Sequence, residues 1–184
     1  SCCFNLSALP KLIITVAAAV LWNNIFMQLK GIGVNMIALG SDHAGFPLKQ
    51  EIMKHFDEIG VEYKDYGCYS PERFDYAIAA QKACDAVVSG DCDKAVLCCG
   101  TGIGISMAAN KVKGIRAAAC SDYFSAKYTR LHNDANCLCL GDRVVGAGLA
   151  LELVDVFINT GFEGGRHATR VGQIMDIEAG KKLY

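Results

Sequence analysis

Three stretches of this chain set reactive side chains beside glycines. Gly40-Ser41-Asp42-His43-Ala44-Gly45 places a carboxylate next to an imidazole. Either Asp42 caps the segment that follows while His43 sits in solvent, or the two face a bound molecule. Cys98-Cys99-Gly100-Thr101-Gly102-Ile103-Gly104 places two thiols ahead of three glycines. Glycine lets the backbone approach a ligand, and unpaired N–H groups at a helix start suit a phosphate or a developing oxyanion. A cysteine there can serve as a thiolate base. Cys99 fits that role better than Cys98, which reads as a buried strand residue because alternate residues of a strand face opposite sides.

The third group is dispersed: His132-Asn133-Asp134, Arg143, and Gly164-Gly165-Arg166-His167-Ala168-Thr169-Arg170. Arg166 and Arg170 are four apart, so on a helical turn they share a face and can clamp a phosphate. Either alone would read as a solvated surface arginine. The whole set supplies a base (Cys99), an acid (His132 or His43), oxyanion donors (100–106) and a phosphate clamp. That combination suits proton transfer beside a carbonyl. A P-loop would need G-x-x-x-x-G-K-[ST], and a dinucleotide fingerprint needs G-x-G-x-x-G after the first strand, whereas here G-x-G-x-G follows the third. The ten cysteines include no C-x-x-C and no Cys/His spacing for zinc, so neither a cofactor nor a metal is expected.

Alternating elements must position these loops. Met36–Gly40, Val61–Tyr66, Lys94–Cys99, Ile115–Cys120 and Ala135–Leu140 read as short apolar strands. Between them, Leu48, Ile52, Phe56 and Ile59 recur at helical spacing in Pro47–Ile59, which Gly60 ends. Further helices are expected over Tyr76–Ser89, from the glycine loop to Asn110, and over Tyr123–Leu131, Gly146–Asn159 and Thr169–Ala179. Strands this apolar imply a parallel sheet covered on both faces, with right-handed crossovers. The expected fold is one doubly wound, Rossmann-like α/β domain with a five-stranded parallel sheet. Ligands in such a sheet sit at the carboxyl ends of the strands, beside the topological switch point.

The 184 residues carry 18 Lys+Arg against 19 Asp+Glu, a net charge of −1, which disfavours a general nucleic-acid binder. Cysteines inside apolar runs read as small buried hydrophobes in a reducing cytoplasm. The domain is expected over 36–184. Residues 1–35 differ: Leu12–Trp22 is unbroken apolar sequence, short of the ~18–20 residues that span a bilayer, and Asn23, Asn24 and Gln28 interrupt its extension. That segment is expected to be an atypical leader rather than an export signal or an added helix, and no membrane partner is expected.

GSDHAGFPLK, CGTGIGISMAANK, RLHNDANCLCLGDRVVG and EGGRHATRV together resemble the sugar-phosphate isomerases of the ribose-5-phosphate isomerase B type, a family that includes the galactose-6-phosphate isomerase subunits. The resemblance runs from Met36 to about Glu178. It implies interconversion of ribose 5-phosphate and ribulose 5-phosphate through a cis-enediolate, in the pentose phosphate pathway and without a metal. Cys99 matches the base, and Ile103 stands where members with Ser in place of that Cys carry a Glu. The amides of Gly100, Gly102, Ile103 and Gly104 would stabilise the enediolate oxygen. Thr101 and His132 match the ring-opening residues, with His132 as acid. Asp42 and His43 match contacts to the sugar and phosphate ends, and Asn133 a contact to the sugar or enediolate. Arg143, Arg166 and Arg170 match binding positions, the last two holding the phosphate, and Tyr76 matches a tyrosine lining the pocket. The family forms homodimers or homotetramers whose sites lie between subunits. A six-carbon phosphosugar is the alternative substrate, and a non-catalytic phosphosugar sensor the alternative of another class.

Overall fold

The computed structural model describes residues 36–184. Along the chain run β1 (Ile37–Ser41), α1 (Phe46–Ile59), β2 (Tyr63–Asp65), α2 (Tyr76–Ser89), β3 (Lys94–Cys99), α3 (Ile103–Ala109), β4 (Ala117–Ala119), α4 (Tyr123–Asn133), β5 (Cys137–Gly141), α5 (Ala147–Asn159) and α6 (Arg166–Glu178). The segment expected to be a leader, residues 1–35, lies outside the described residues. The five strands form one parallel sheet in the order β2-β1-β3-β5-β4. Right-handed crossovers then assign the helices to faces. The steps β1 to β2 and β4 to β5 cross the sheet one way and put α1 and α4 on one face. The steps β2 to β3 and β3 to β4 run the other way and put α2 and α3 on the opposite face. This is the doubly wound α/β domain expected from the sequence.

Each face has its own core. Ile37, Leu39, Val96, Cys98, Leu138 and Leu140 meet Leu48, Ile52 and Phe56 of α1 and Leu153, Val154 and Phe157 of α5. Ala38, Leu97, Cys99, Cys137 and Cys139 meet Ala80, Ala83 and Cys84 of α2 and Ile105 and Ala109 of α3. Phe56 and Phe157 are fully buried, so truncating either to Ala should cost ~3–5 kcal/mol. The eight described cysteines are all buried free thiols, used as compact hydrophobes.

Several boundaries differ from expectation, for local reasons. The strand expected over Val61–Tyr66 counts only Tyr63–Asp65, because the Val61 amide still donates to Phe56 O at 3.0 Å in the cap of α1. The strand expected over Ile115–Cys120 counts only Ala117–Ala119, since the Ile115 amide closes a turn on Val112 O. The last helix begins at Arg166, three residues early. Gly164 and Gly165 take φ 70° and 55°, and the amides of His167 and Ala168 then bond back to their carbonyls. Helix α4 runs on through Asn133, so His132 and Asn133 lie inside its last turn rather than after it.

At the sheet margin β4 is paired only to β5. On its open side the Asn110 carboxamide accepts the Ala117 N–H at 2.8 Å and donates to the Ala117 carbonyl at 2.9 Å. One side chain thus supplies the bonds a neighbouring strand would make. Among the described residues no helix is long and apolar enough to cross a membrane.

Candidate active site

The loops after β1, β3 and β5 converge at the carboxyl edge of the sheet, next to the switch point between β1 and β3. Bare backbone makes the convergence possible. A Cβ on Gly45 would fall 2.4 Å from Cys98 C and 2.6 Å from Cys99 N, and one on Gly141 would fall 2.5 Å from Thr101 C. Only glycine fits at either contact, so the loop after β1 lies directly on the end of β3, and the end of β5 on the glycine loop.

Cys99 ends β3 on the α2/α3 face, 4% exposed, and its Sγ accepts the Gly102 N–H at 3.1 Å. That bond strengthens when the sulfur carries charge. Cys98 points to the other face and is fully buried, and burial pushes its thiol well above the ordinary range. The two adjacent thiols are thereby distinguished. Gly102 opens α3 with φ 76°, and the Thr101 hydroxyl accepts the Ile103 N–H at 3.3 Å. Of the expected oxyanion donors, the Gly102 amide is thus directed at the sulfur and the Ile103 amide at Thr101. Ile103 itself is exposed.

Side chains wall this loop. The Arg143 guanidinium lies over Gly100, 3.3 Å from where a Cβ would stand, while its amide donates to Gly100 O at 3.1 Å. The Tyr76 ring covers Gly104 at 3.1 Å by the same measure. Asp42 is buried, and its Oδ1 accepts the amides of Ala44 at 2.9 Å and Gly45 at 2.8 Å. It closes the turn ahead of α1, whose N-cap is Gly45 with no side-chain cap, so Asp42 braces the loop and does not cap the helix itself. His43 is exposed, with Nδ1 3.2 Å from Phe74 O and 3.4 Å from Phe74 N.

His132, Asn133, Arg166 and Arg170 are elsewhere. Helix α4 carries the chain from the carboxyl end of β4 back to the amino end of β5. At its close, Asn133 O accepts Arg116 Nε just ahead of β4, at 3.2 Å. The Glu163 amide bonds Leu131 O at 3.0 Å and seats the start of α6 beside this corner. A strand's length, roughly 15 Å at ~3.3 Å per residue, separates this amino-edge group from Cys99. Within one chain the structure brings together Asp42, His43, Tyr76, Cys99, Gly100, Thr101, Gly102, Ile103, Gly104 and Arg143. It does not bring His132, Asn133, Arg166 or Arg170 to them.

At the amino edge the His132 and His167 rings stack 4.0 Å apart at 4°. Their Nε2 atoms lie 3.6 and 3.8 Å from Glu163 Oε2. Burial, then His132 and Arg166, hold the His167 imidazole below its ordinary range. These three residues are the one group of metal-ligating types among the described residues whose ligand atoms lie within 4.8 Å of one another. Parallel rings, however, aim their in-plane lone pairs along parallel planes and not at one ion. Arg166 Nε also donates to His167 Nε2 at 3.4 Å.

Sequence reasoning missed two buried cations, Arg130 and the fully buried Lys49. Lys49 of α1 has no exposed surface, and its Nζ donates to Asp65 Oδ1 at 2.7 Å, Asp65 Oδ2 at 2.6 Å and Cys68 O at 2.5 Å. The signal was present: Lys49 precedes Ile52 by three and Phe56 by seven, on the apolar stripe itself. Lys49 thus fastens α1 to the end of β2 and the chain after it, which is also tied to the end of β1 by the Ser41 N–H on Gly67 O and the Cys68 N–H on Ser41 O. That chain leads on to Phe74 and Tyr76.

Residues 37–174 match the family model described as Ribose/Galactose Isomerase. The chain is 51% identical to ribose-5-phosphate isomerase B of Escherichia coli (strain K12) over 142 residues, 77% of this chain and 95% of that protein. A solved structure of Clostridium thermocellum ribose-5-phosphate isomerase B is similar with a TM-score of 0.78 at 51% identity, covering 79% of this chain and 98% of that one. That of Mycoplasma genitalium ribose-5-phosphate isomerase B with bound ribulose-5-phosphate gives a TM-score of 0.75 at 38% identity, covering 79% and 97%.

Proposed function

The chain belongs to the ribose/galactose isomerase family, and from that premise we propose that it interconverts ribose 5-phosphate and ribulose 5-phosphate at a site shared between two copies. The observation that carries this reading is Cys99, its sulfur bonded by Gly102 N–H at the carboxyl edge of β3 and walled by Arg143 and Tyr76. Thr101 and His132 open the furanose ring, His132 giving a proton to the ring oxygen. The Cys99 thiolate then takes the C2 proton, leaving a cis-enediolate. Charge on the enediolate oxygen is met by glycine-loop amides not already directed at Cys99 or Thr101. The O2 proton passes to O1 and the proton taken from C2 returns to C1, which yields the ketose. One proton moves between two carbons of the same molecule, so the electron balance closes without a redox cofactor. Asp42, His43, Tyr76 and Asn133 hold the sugar, Arg143 borders it, and Arg166 with Arg170 takes the phosphate.

Base and acid lie at opposite edges of the sheet, so one chain cannot supply both to a five-carbon substrate. A second copy, docked so that its His132–Arg170 corner faces the glycine loop, completes the constellation. A symmetric dimer then holds two such sites. A cytoplasmic setting fits eight buried thiols in one domain.

The test mixes Cys99→Ala and His132→Ala subunits after reversible dissociation. Half the dimers formed from equal amounts are hybrids with one intact site of two, so about a quarter of wild-type activity returns. No recovery means both groups act from one chain, and the shared-site reading fails. Ribose 5-phosphate should be turned over faster than allose 6-phosphate or galactose 6-phosphate by the full chain; preference for a six-carbon sugar would change the substrate and leave the chemistry.

A further inference from the structure

Asp134 is the only non-glycine residue with positive φ among the described residues, at φ 46° and ψ 42°. It ends α4 immediately after His132 and Asn133. Helices α1 and α2 end in the same left-handed region, but there the residues are Gly60 and Gly90, which adopt it freely. Stopping a helix and turning the chain therefore does not require a side chain at this position. An aspartate here brings a contribution of its own.

That contribution is a clamp made by two arginines. Asp134 Oδ1 accepts Arg130 Nη1 at 2.8 Å, and Oδ2 accepts Arg116 Nη2 at 3.1 Å. Arg130 is held independently of Asp134, while Arg116 bonds the turn at both its backbone and its carboxylate. Arg130 is 7% exposed, donates to Ala135 O at 2.6 Å and Thr160 O at 3.1 Å, and lies over the Phe157 ring. Arg116 Nε donates to Asn133 O at 3.2 Å and to Asp134 O at 2.9 Å. The carboxylate is thus tied to the start of β4 on one side and to α4 and the end of α5 on the other. Between those ties the last turn of α4 has little freedom to fray.

We infer that Asp134 is a positioning residue: clamped by Arg116 and Arg130, it fixes the direction in which His132 and Asn133 project from the amino edge of the sheet. This rests on the reading of His132 as the acid that acts on the sugar. It assigns no contact with substrate to Asp134. The aim of His132 is then set from two sides, by the His167 ring stacked on it and by the clamp behind it.

Asp134→Gly keeps the left-handed turn and removes the clamp. Asp134→Asn keeps the turn, which asparagine tolerates, and the shape, while removing the charge. Two quantities decide the matter in the full-length protein: steady-state kinetics with ribose 5-phosphate, and NMR relaxation of the histidine ring Cε1–H groups. In Asp134→Gly the His132 ring should gain motion while His43 and His55 do not, and kcat should fall about 10²-fold with a smaller rise in KM, because Asn133 is loosened with it while Arg166 and Arg170 stand on α6. Asp134→Asn should fall between wild type and Asp134→Gly, and it carries the test if the glycine variant does not fold. A fall in thermal stability with unchanged His132 relaxation and unchanged kcat would show the clamp to be structural only and overturn the inference. His132→Ala serves as the reference: if it stays fully active, the acid assignment has failed, while the relaxation measurement still decides whether Asp134 positions the ring.

Discussion

Replacing Lys49 by methionine isolates the buried ion pair beneath the loop that carries Phe74 and Tyr76. Methionine nearly conserves volume, so the cavity cost is small and the lost partners dominate. Lys49 has 0% and Asp65 16% side-chain exposure, so the carboxylate, left with the Gly67 N–H alone, cannot be fully rehydrated in place. Removing one partner from a buried pair costs ~3–5 kcal/mol. For a folded unit of this size each kcal/mol lowers Tm by ~2–4 °C, which gives a drop of ~6–20 °C. Thermal and urea unfolding of Lys49→Met, Asp65→Asn and the double variant measure it, at one protein concentration because assembly shifts Tm by mass action. The double variant should cost clearly less than the sum of the singles, since each single change takes away the other group's charge partner and leaves Lys49 only Cys68 O, or Asp65 only the Gly67 N–H. A loss below ~1 kcal/mol for Lys49→Met, or simple additivity, would refute the picture of a coupled buried pair.

Cys99→Ala should lose about 10³-fold in kcat with little change in KM, whereas Cys98→Ala should keep most turnover; the opposite pattern in steady-state kinetics would move the base to Cys98. Arg170→Ala should raise KM for the sugar phosphate and leave kcat in place, because it removes binding common to ground and transition states. For His167, whose folded imidazole titrates below the ordinary value of 6.5, the unfolded chain binds more protons between the two values. Its contribution is therefore intact above about pH 6.5 and lost as pH falls through the lower folded value. Unfolding titrations should show this acid-side loss in the wild type and less of it in His167→Phe; identical pH profiles would sink the assignment.

The sheet, its order of elements and the carboxyl-edge loops were legible because continuous apolar strands and glycine helix stops are local signals. Cys99 and Cys98 were separable by strand alternation alone. Boundaries failed where a backbone bond across a turn decided them, as at Val61, Ile115 and Gly164, since no residue type announces such a bond. That His132, Arg166 and Arg170 lie far from Cys99 within one chain was legible from the family resemblance, which places the site between subunits, and not from spacing, for a topological reason. Motifs at the end of a helix and at the end of a strand look alike in sequence, yet in a parallel sheet they occupy opposite edges. Asp134 and Glu163 went unassigned because their roles arise from Arg116, Arg130, His132 and His167, which only the fold brings near.

The Asn110 carboxamide on Ala117 bears on how the protein keeps to itself. A margin of three alanines offers an incoming strand bare backbone and no charge to repel it, the usual starting point of edge-to-edge aggregation. By occupying one donor and one acceptor of that margin, Asn110 denies the first rung of any such ladder. Its consequence lies in solubility during folding and heating, when strand margins meet other chains, and turnover of the finished enzyme need not depend on it.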